Sequence, residues 1–93
     1  MKIAVLGATG KTGRYLVAAL CERGHSLTAI GRSEVRLARL DTRARRVIGD
    51  LEDSESVTGA LKGAEAVVSL AHARFIAALL AALPASCGRV VLT

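Results

Sequence analysis

Lys2-Ile3-Ala4-Val5-Leu6-Gly7-Ala8-Thr9-Gly10-Lys11-Thr12-Gly13 is the stretch that decides how the rest of the chain is read. Lys2–Leu6 is a short, continuous apolar run stopped by glycine, the pattern of a strand buried on both faces. The glycines recur as GxxGxxG between that strand and a helical pattern over 11–23, where Leu16, Val17, Ala19 and Leu20 share a face and Gly24 stands as the cap. A glycine triplet carries weight when a strand precedes it and a helix follows. Gly7 permits the tight turn, Gly10 lets a pyrophosphate approach the backbone, and Gly13 lets the helix lie close to the sheet. The free N–H groups and dipole of the helix start would hold the negative charge, and Thr9 and Thr12 could add hydroxyl donors.

Beyond this stretch the same alternation repeats. Ser26–Ile30 reads as a second strand closed by Gly31, and Ser33 as the cap of a helix carrying Val35, Leu37, Ala38 and Leu40. Arg46–Ile48 is a brief third strand, and Asp53 or Ser54 caps a helix with Val57, Ala60 and Leu61 inward, ended by Gly63. Ala66–Leu70 is a fourth strand. Phe75, Ile76, Leu79, Leu80 and Leu83 form an apolar helical stripe stopped at Pro84, and Arg89–Leu92 is a fifth strand. Strands alternating with helices predict an α/β fold, a doubly wound parallel sheet covered on both faces, with right-handed crossovers and strand order 3-2-1-4-5. All of 1–93 is expected to form one domain.

The chain has 93 residues, a formal net charge of +5 and 52% hydrophobic residues, which excludes an intrinsically disordered chain. A chain this short buries roughly 60–65% of the surface its unfolded form exposes. Seventeen of its apolar residues are alanine, so the core is modest and help from a ligand or partner is expected. Cys21 and Cys87 are only two thiols far apart, which argues against a disulfide scaffold and for a reducing, cytoplasmic location. The longest apolar run, from Phe75 to Leu83, is far short of the roughly 20 residues a bilayer span needs. No signal-peptide pattern opens the chain, and no metal site is expected.

The charge is placed unevenly. Residues 1–48 carry ten Lys/Arg and three Asp/Glu, a balance of +7, whereas residues 49–93 carry three and five, a balance of −2. Arginine dominates the basic half, and its fork matches phosphate. Nucleic acid is a weak candidate, because Tyr15 and Phe75 are the only aromatics and no recognition motif is evident. The end of the second strand is more specific. An NAD site usually has a carboxylate there, but this chain has Gly31-Arg32. Arg32 and Arg36 lie four apart and can share a face, where two guanidinium groups would clamp a ribose 2′-phosphate. NADP(H) is therefore expected over NAD(H).

The opening KIAVLGATGKTGRYLV, then AIGRSEVRL, VIGDLEDSESVTGALKGAEAVVSLA and RVVLT, resemble the atypical short-chain dehydrogenase/reductases. The nearest groups are the NmrA-like and NAD(P)H-binding families, including the biliverdin reductase B/flavin reductase type. The resemblance covers essentially the whole chain and implies a Rossmann-like fold. By that resemblance Gly7, Gly10 and Gly13 match the pyrophosphate glycines, with Ala8, Thr9, Lys11 and Thr12 around the phosphates. Arg32 and Arg36 match the arginines that select the 2′-phosphate. Asp50 and Leu51 match positions beside the adenine, and Ala71 and His72 follow strand four near the ribose and nicotinamide.

Two departures qualify the resemblance. Ala71-His72-Ala73 stands where the family often has glycine. The family's Tyr-x-x-x-Lys pair is not found: Tyr15 is the one tyrosine, and position 19 is Ala19. No catalytic acid or base is assigned, and Thr93 falls about where the family's serine segment begins. The resemblance implies hydride transfer to a small quinone, flavin, tetrapyrrole or carbonyl acceptor in a longer protein, this chain being its cofactor half. The alternative is a non-catalytic redox sensor. His25 reads as a surface turn residue. The edge strand Arg89–Leu92 is expected to invite pairing with a second copy.

Overall fold

The three inner strands of the sheet are largely buried, and the strands at its two edges are mostly exposed. The computed structural model describes residues 1–92, except the side chain of Ala73; Thr93, read above as the start of a serine segment, lies outside them. The elements run β1 (Lys2–Leu6), α1 (Lys11–Glu22), β2 (Ser26–Gly31), α2 (Glu34–Leu37), β3 (Arg45–Ile48), α3 (Ser54–Leu61), β4 (Ala66–Ser69), a 3-10 turn (Ala73–Phe75), α4 (Ile76–Ala82) and β5 (Arg89–Leu92). The sheet is parallel throughout, in the order β3-β2-β1-β4-β5, as the alternation predicts.

β1 sits at the centre, and Ile3–Leu6 are all buried because both faces are covered. Alternation sends Ile3 and Val5 to one side, where they meet Val17, Cys21, Leu27, Leu37 and Leu40 from α1, β2 and the α2 region. Ala4 and Leu6 face the other side, against Ile30, Val57, Leu61 and Leu79 from β2, α3 and α4. The two cores and the sheet between them make the three layers. Cys21 and Cys87 are free thiols.

The helices hold to their caps but not always to their expected length. The Asp53 carboxylate accepts the Glu55 N–H at 3.0 Å, so of the two candidates Asp53 is the cap of α3. α1 runs to Glu22, and Gly24 follows its cap with φ +85°. α2 is a single turn. The Ser33 hydroxyl accepts the Arg36 N–H, and the chain then tightens through bonds from Arg39 to Arg36 and Leu40 to Leu37. Positions three apart eclipse in such a path, so Leu37 and Leu40 are buried while Val35 is 68% exposed, against the expected four-residue face. In α4, Leu79 is buried but Leu80 is 54% exposed, because seven residues give less than two full turns to the stripe. His25 lies half-buried in the turn before β2, and its Nδ1 has no hydrogen-bond partner among the described residues.

Candidate functional site

The carboxyl end of the sheet is built around the turn that leaves β1. Gly7 takes φ +74°, a left-handed conformation that side chains disfavour. A Cβ there would lie 2.8 Å from the Ala71 backbone nitrogen, so the turn after β1 and the loop after β4 meet backbone to backbone. They diverge to opposite faces of the sheet from this contact, which makes it the topological switch point. Gly13 is also held by close approach: its Cβ would fall 2.5 Å from the Ala8 carbonyl oxygen. At Gly10 nothing stands within 4 Å of a Cβ, so the backbone is open to an incoming group.

Gly10 is the N-cap of α1, with no side chain capping it and no acidic residue in the first turn. The Arg14 N–H bonds the Gly10 carbonyl at 3.0 Å as the first intrahelical bond. The N–H groups of Lys11, Thr12 and Gly13 therefore have no intrahelical acceptor. Together with the helix dipole they make an end that favours negative charge.

A cleft of about 220 Å³ opens beside this turn, lined by Gly7, Thr9, Arg32, Arg36, Leu51 and Phe75 among others. β2 places Arg32 one residue past its end, and Ser33 caps the turn that carries Arg36 back over the same opening. Among the described residues neither guanidinium takes part in an ion pair. Leu51 is 7% exposed and packs with Ile30 and Val57, so the cleft has an apolar wall. The arrangement can hold a flat apolar group against Leu51 and Phe75, with anionic groups toward the arginines and the helix start.

The remaining expected residues stand outside the cleft lining. The Ala8 side chain is fully buried in the α1-side core, so only its backbone can serve a ligand. Lys11 is exposed and lines a separate groove with Arg14, Tyr15 and Arg39 on the outer face. Thr12 is exposed on the first turn of α1. The Asp50 carboxylate is exposed and accepts the Glu52 N–H at 2.9 Å. Ala71 is half-buried against Gly7, whereas His72 is exposed and its Nδ1 accepts the Arg74 N–H at 3.0 Å, which places the ring over its own loop. Phe75 is the residue that sequence reasoning assigned only to a core stripe. It lines the cleft half-buried, with the Arg74 guanidinium 4.8 Å above its ring. Its place at the first position of the stripe, directly after the β4 loop, was the available signal.

Known proteins resemble this chain in sequence and in fold. A family profile described as NAD(P)H-binding matches residues 7–86. Sterol demethylase protein B of Methylococcus capsulatus is 44% identical over 66 residues, covering 70% of this chain and 20% of that protein. An isoflavone reductase homolog of Zea mays is 38% identical over 78 residues, covering 74% of this chain and 25% of that one. The chain thus spans about a fifth to a quarter of these relatives. Among solved structures, a short-chain dehydrogenase/reductase superfamily protein from Agrobacterium tumefaciens, crystallised with bound NAD, superposes with TM-score 0.75 at 25% identity, over 99% of this chain and 32% of that one. From the match to residues 7–86 and the parallel order β3-β2-β1-β4-β5, the chain belongs to the NAD(P)H-binding family and is a Rossmann-like dinucleotide-binding domain.

Proposed function

We propose that this chain binds NADP(H) in preference to NAD(H), as the cofactor part of a cytoplasmic reductase that acts on a small organic acceptor. The observation that carries the preference is the pair of guanidinium groups, Arg32 and Arg36, that line one cleft with Thr9 and Gly7 and take part in no ion pair among the described residues. The residues present fit the cofactor. The Gly10 backbone is open, the start of α1 offers free N–H groups, and two arginines line the cleft, which suits a phosphate on the adenosine ribose.

In this reading Gly7, Gly10 and Gly13, with the backbone of Ala8 and the hydroxyls of Thr9 and Thr12, surround the pyrophosphate, and Lys11 adds charge at its outer side. Arg32 and Arg36 hold the 2′-phosphate. Asp50 and Leu51 stand at the adenine, Leu51 by covering the ring, and Ala71 and His72 border the ribose and nicotinamide. When bound, the nicotinamide supplies hydride. This chain's part is to fix its orientation.

Calorimetry with NADPH and NADH tests the reading. The parent should favour NADPH, and Arg32→Ala with Arg36→Ala should weaken NADPH at least tenfold while NADH changes little. Equal losses for the two cofactors would show that neither arginine reads the 2′-phosphate. In a longer protein, NADPH binding without oxidation by any acceptor would favour the redox-sensor role over the reductase.

We also propose that the exposed edge β5, where Val91 and Leu92 are 43% and 47% exposed, pairs with a second copy of the chain. Analytical ultracentrifugation showing a monomer at high concentration would refute that pairing.

A further inference from the structure

The opposite end of the sheet holds a second opening, which shares no lining residue with the cleft at Arg32 and Arg36. A cleft of about 310 Å³ lies at the amino ends of β1 and β2, under the end of α3. The sheet register explains its lining. Lys2 pairs with Ser26, and Thr28 pairs with both Ala4 and Arg45, so these side chains share one face of the sheet. Ala4 belongs to the α3-side core, which fixes that face as the one beneath α3. α3 stops at Leu61, Lys62 caps it, and Gly63 turns the chain away at φ +80°. Eight helical residues span only about 12 Å, too short to cover the amino ends of the strands.

The charges there are not balanced. Lys2, Arg45 and Lys62 line the cleft, and among the described residues none of their side chains is ion-paired. Arg43 also lines it but is already held by Asp41 and Glu22 at 2.8 and 3.3 Å. Glu65 stands beside Lys2, its Oε1 accepting the Lys2 backbone N–H at 2.9 Å. The carbonyl end of α3 adds only a partial negative charge, about half an elementary charge. Among the described residues, three cations without an ion pair therefore stand beside the one carboxylate here, Glu65, that Arg43 does not already hold. The Ser26 and Thr28 hydroxyls have no hydrogen-bond partner among the described residues, and they lie between these cations on the strands.

We propose that this cleft is a second ligand site, for a small phosphorylated anion, separate from the dinucleotide cleft. A carboxylate has two oxygens and would leave part of this donor set unused. A phosphate ester or pyrophosphate presents enough oxygens for the Arg45 fork, two ammonium groups and two hydroxyls together. The volume is at the lower end of the range for small-molecule sites, which suits a ligand of pyrophosphate or sugar-phosphate size rather than a dinucleotide.

The test uses inorganic pyrophosphate as the probe and amide shifts of the isotope-labelled chain as the readout, with sodium chloride at matched ionic strength as the control. Saturating shifts are expected at Lys2, Ser26, Thr28, Arg45 and Gly63 with pyrophosphate and not with chloride. The double variant Arg45→Ala/Lys62→Ala should weaken those shifts at least tenfold while leaving the amides of Gly7–Gly13 unchanged. Both side chains are exposed, so the fold should persist; if it does not, Lys2→Gln and Thr28→Val are measured instead, each several-fold weaker than the parent. Shifts confined to the glycine turn, shifts reproduced by chloride, or shifts that every variant retains would each overturn the proposal. The glycine-turn amides report the dinucleotide site separately, so failure of one site is distinguishable from failure of the other.

Discussion

Replacing Gly13 by alanine should cost the fold, whereas the same replacement at Gly10 should cost mainly the ligand. A Cβ on Gly13 would sit 2.5–2.6 Å from the carbonyl oxygen, carbonyl carbon and Cα of Ala8, all backbone atoms that cannot rotate aside. Either α1 lifts from the sheet or the turn after β1 shifts, and overpacking of this kind costs about 1–3 kcal/mol. The backbone clash places Gly13→Ala at the upper end, about 3 kcal/mol, and the helix propensity gained by alanine returns about 1. The net loss is about 2 kcal/mol, which lowers the melting midpoint of a chain this size by roughly 8–16 °C. Gly10 has φ −74°, which alanine adopts freely, and open space around its Cβ. Only the poorer N-cap preference of alanine remains, at most about 1 kcal/mol. Thermal unfolding by circular dichroism without cofactor measures both, and NADPH calorimetry on the Gly10 variant measures the second effect, expected as a tenfold or greater loss of affinity. If Gly13→Ala melts with the parent, or Gly10→Ala melts as low as Gly13→Ala, the close approach of α1 to the turn is not what those glycines provide.

Three further outcomes follow from particular contacts. Hydrogen bonds from the Arg43 side chain and backbone N–H hold the Asp41 carboxyl well below the usual carboxylate range. A depressed carboxyl contributes its stability above its unfolded pKa of about 3.9 and loses it as the pH falls further, so Asp41→Asn should flatten the acid side of the urea-midpoint profile below about pH 4 and leave its shape near pH 7 unchanged; an acid limb identical to the parent's would refute this. Burial, then the nearby Asp41 charge, pushes the Cys21 thiol up, and its side chain lies in the core, so iodoacetamide should label Cys87 well before Cys21 in native protein, as peptide mass mapping would show. Leu79 is 1% exposed between α4 and the sheet, and Leu79→Ala should destabilise by about 2–5 kcal/mol, read from the urea midpoint.

The fold was legible where local rules and global packing agree. The apolar runs at Lys2–Leu6 and Ala66–Ser69 admit only doubly covered strands, and Gly24 and Gly63 end their helices with the positive φ their positions suggest. The alternation of strand and helix then left one natural strand order. Legibility failed where the connection, not the pattern, sets the path. Val35 and Leu80 have the right spacing for a buried face, but one turn of α2 and seven residues of α4 rotate them outward. The candidate site divides the same way. Gly7, Thr9, Arg32, Arg36 and Leu51 come from turns adjoining strand ends, whose position the sheet dictates, and they converge on one cleft. His72 and Phe75 lie in the loop and 3-10 turn after β4, where backbone turns decide direction, and the aromatic rather than the imidazole lines the cleft.

The central place of β1 also sets an order of assembly during synthesis. Its five residues precede the other four strands of the sheet in the chain, and they need neighbours on both edges. β2 arrives after one helix, but Ile3 pairs with Ala66 and Leu6 with Ser69. Until about residue 69 has emerged, Ile3–Leu6 have one bare edge, and the face that α3 and α4 cover is completed only when α4 (Ile76–Ala82) follows. The most buried strand is therefore made well before its second partner, and the nascent chain carries an adhesive apolar segment until β4 has emerged. Non-local pairing of this kind is slow relative to helix formation and exposes intermediates to association. Chaperone dependence of the yield should accordingly track the time spent before β4 is complete.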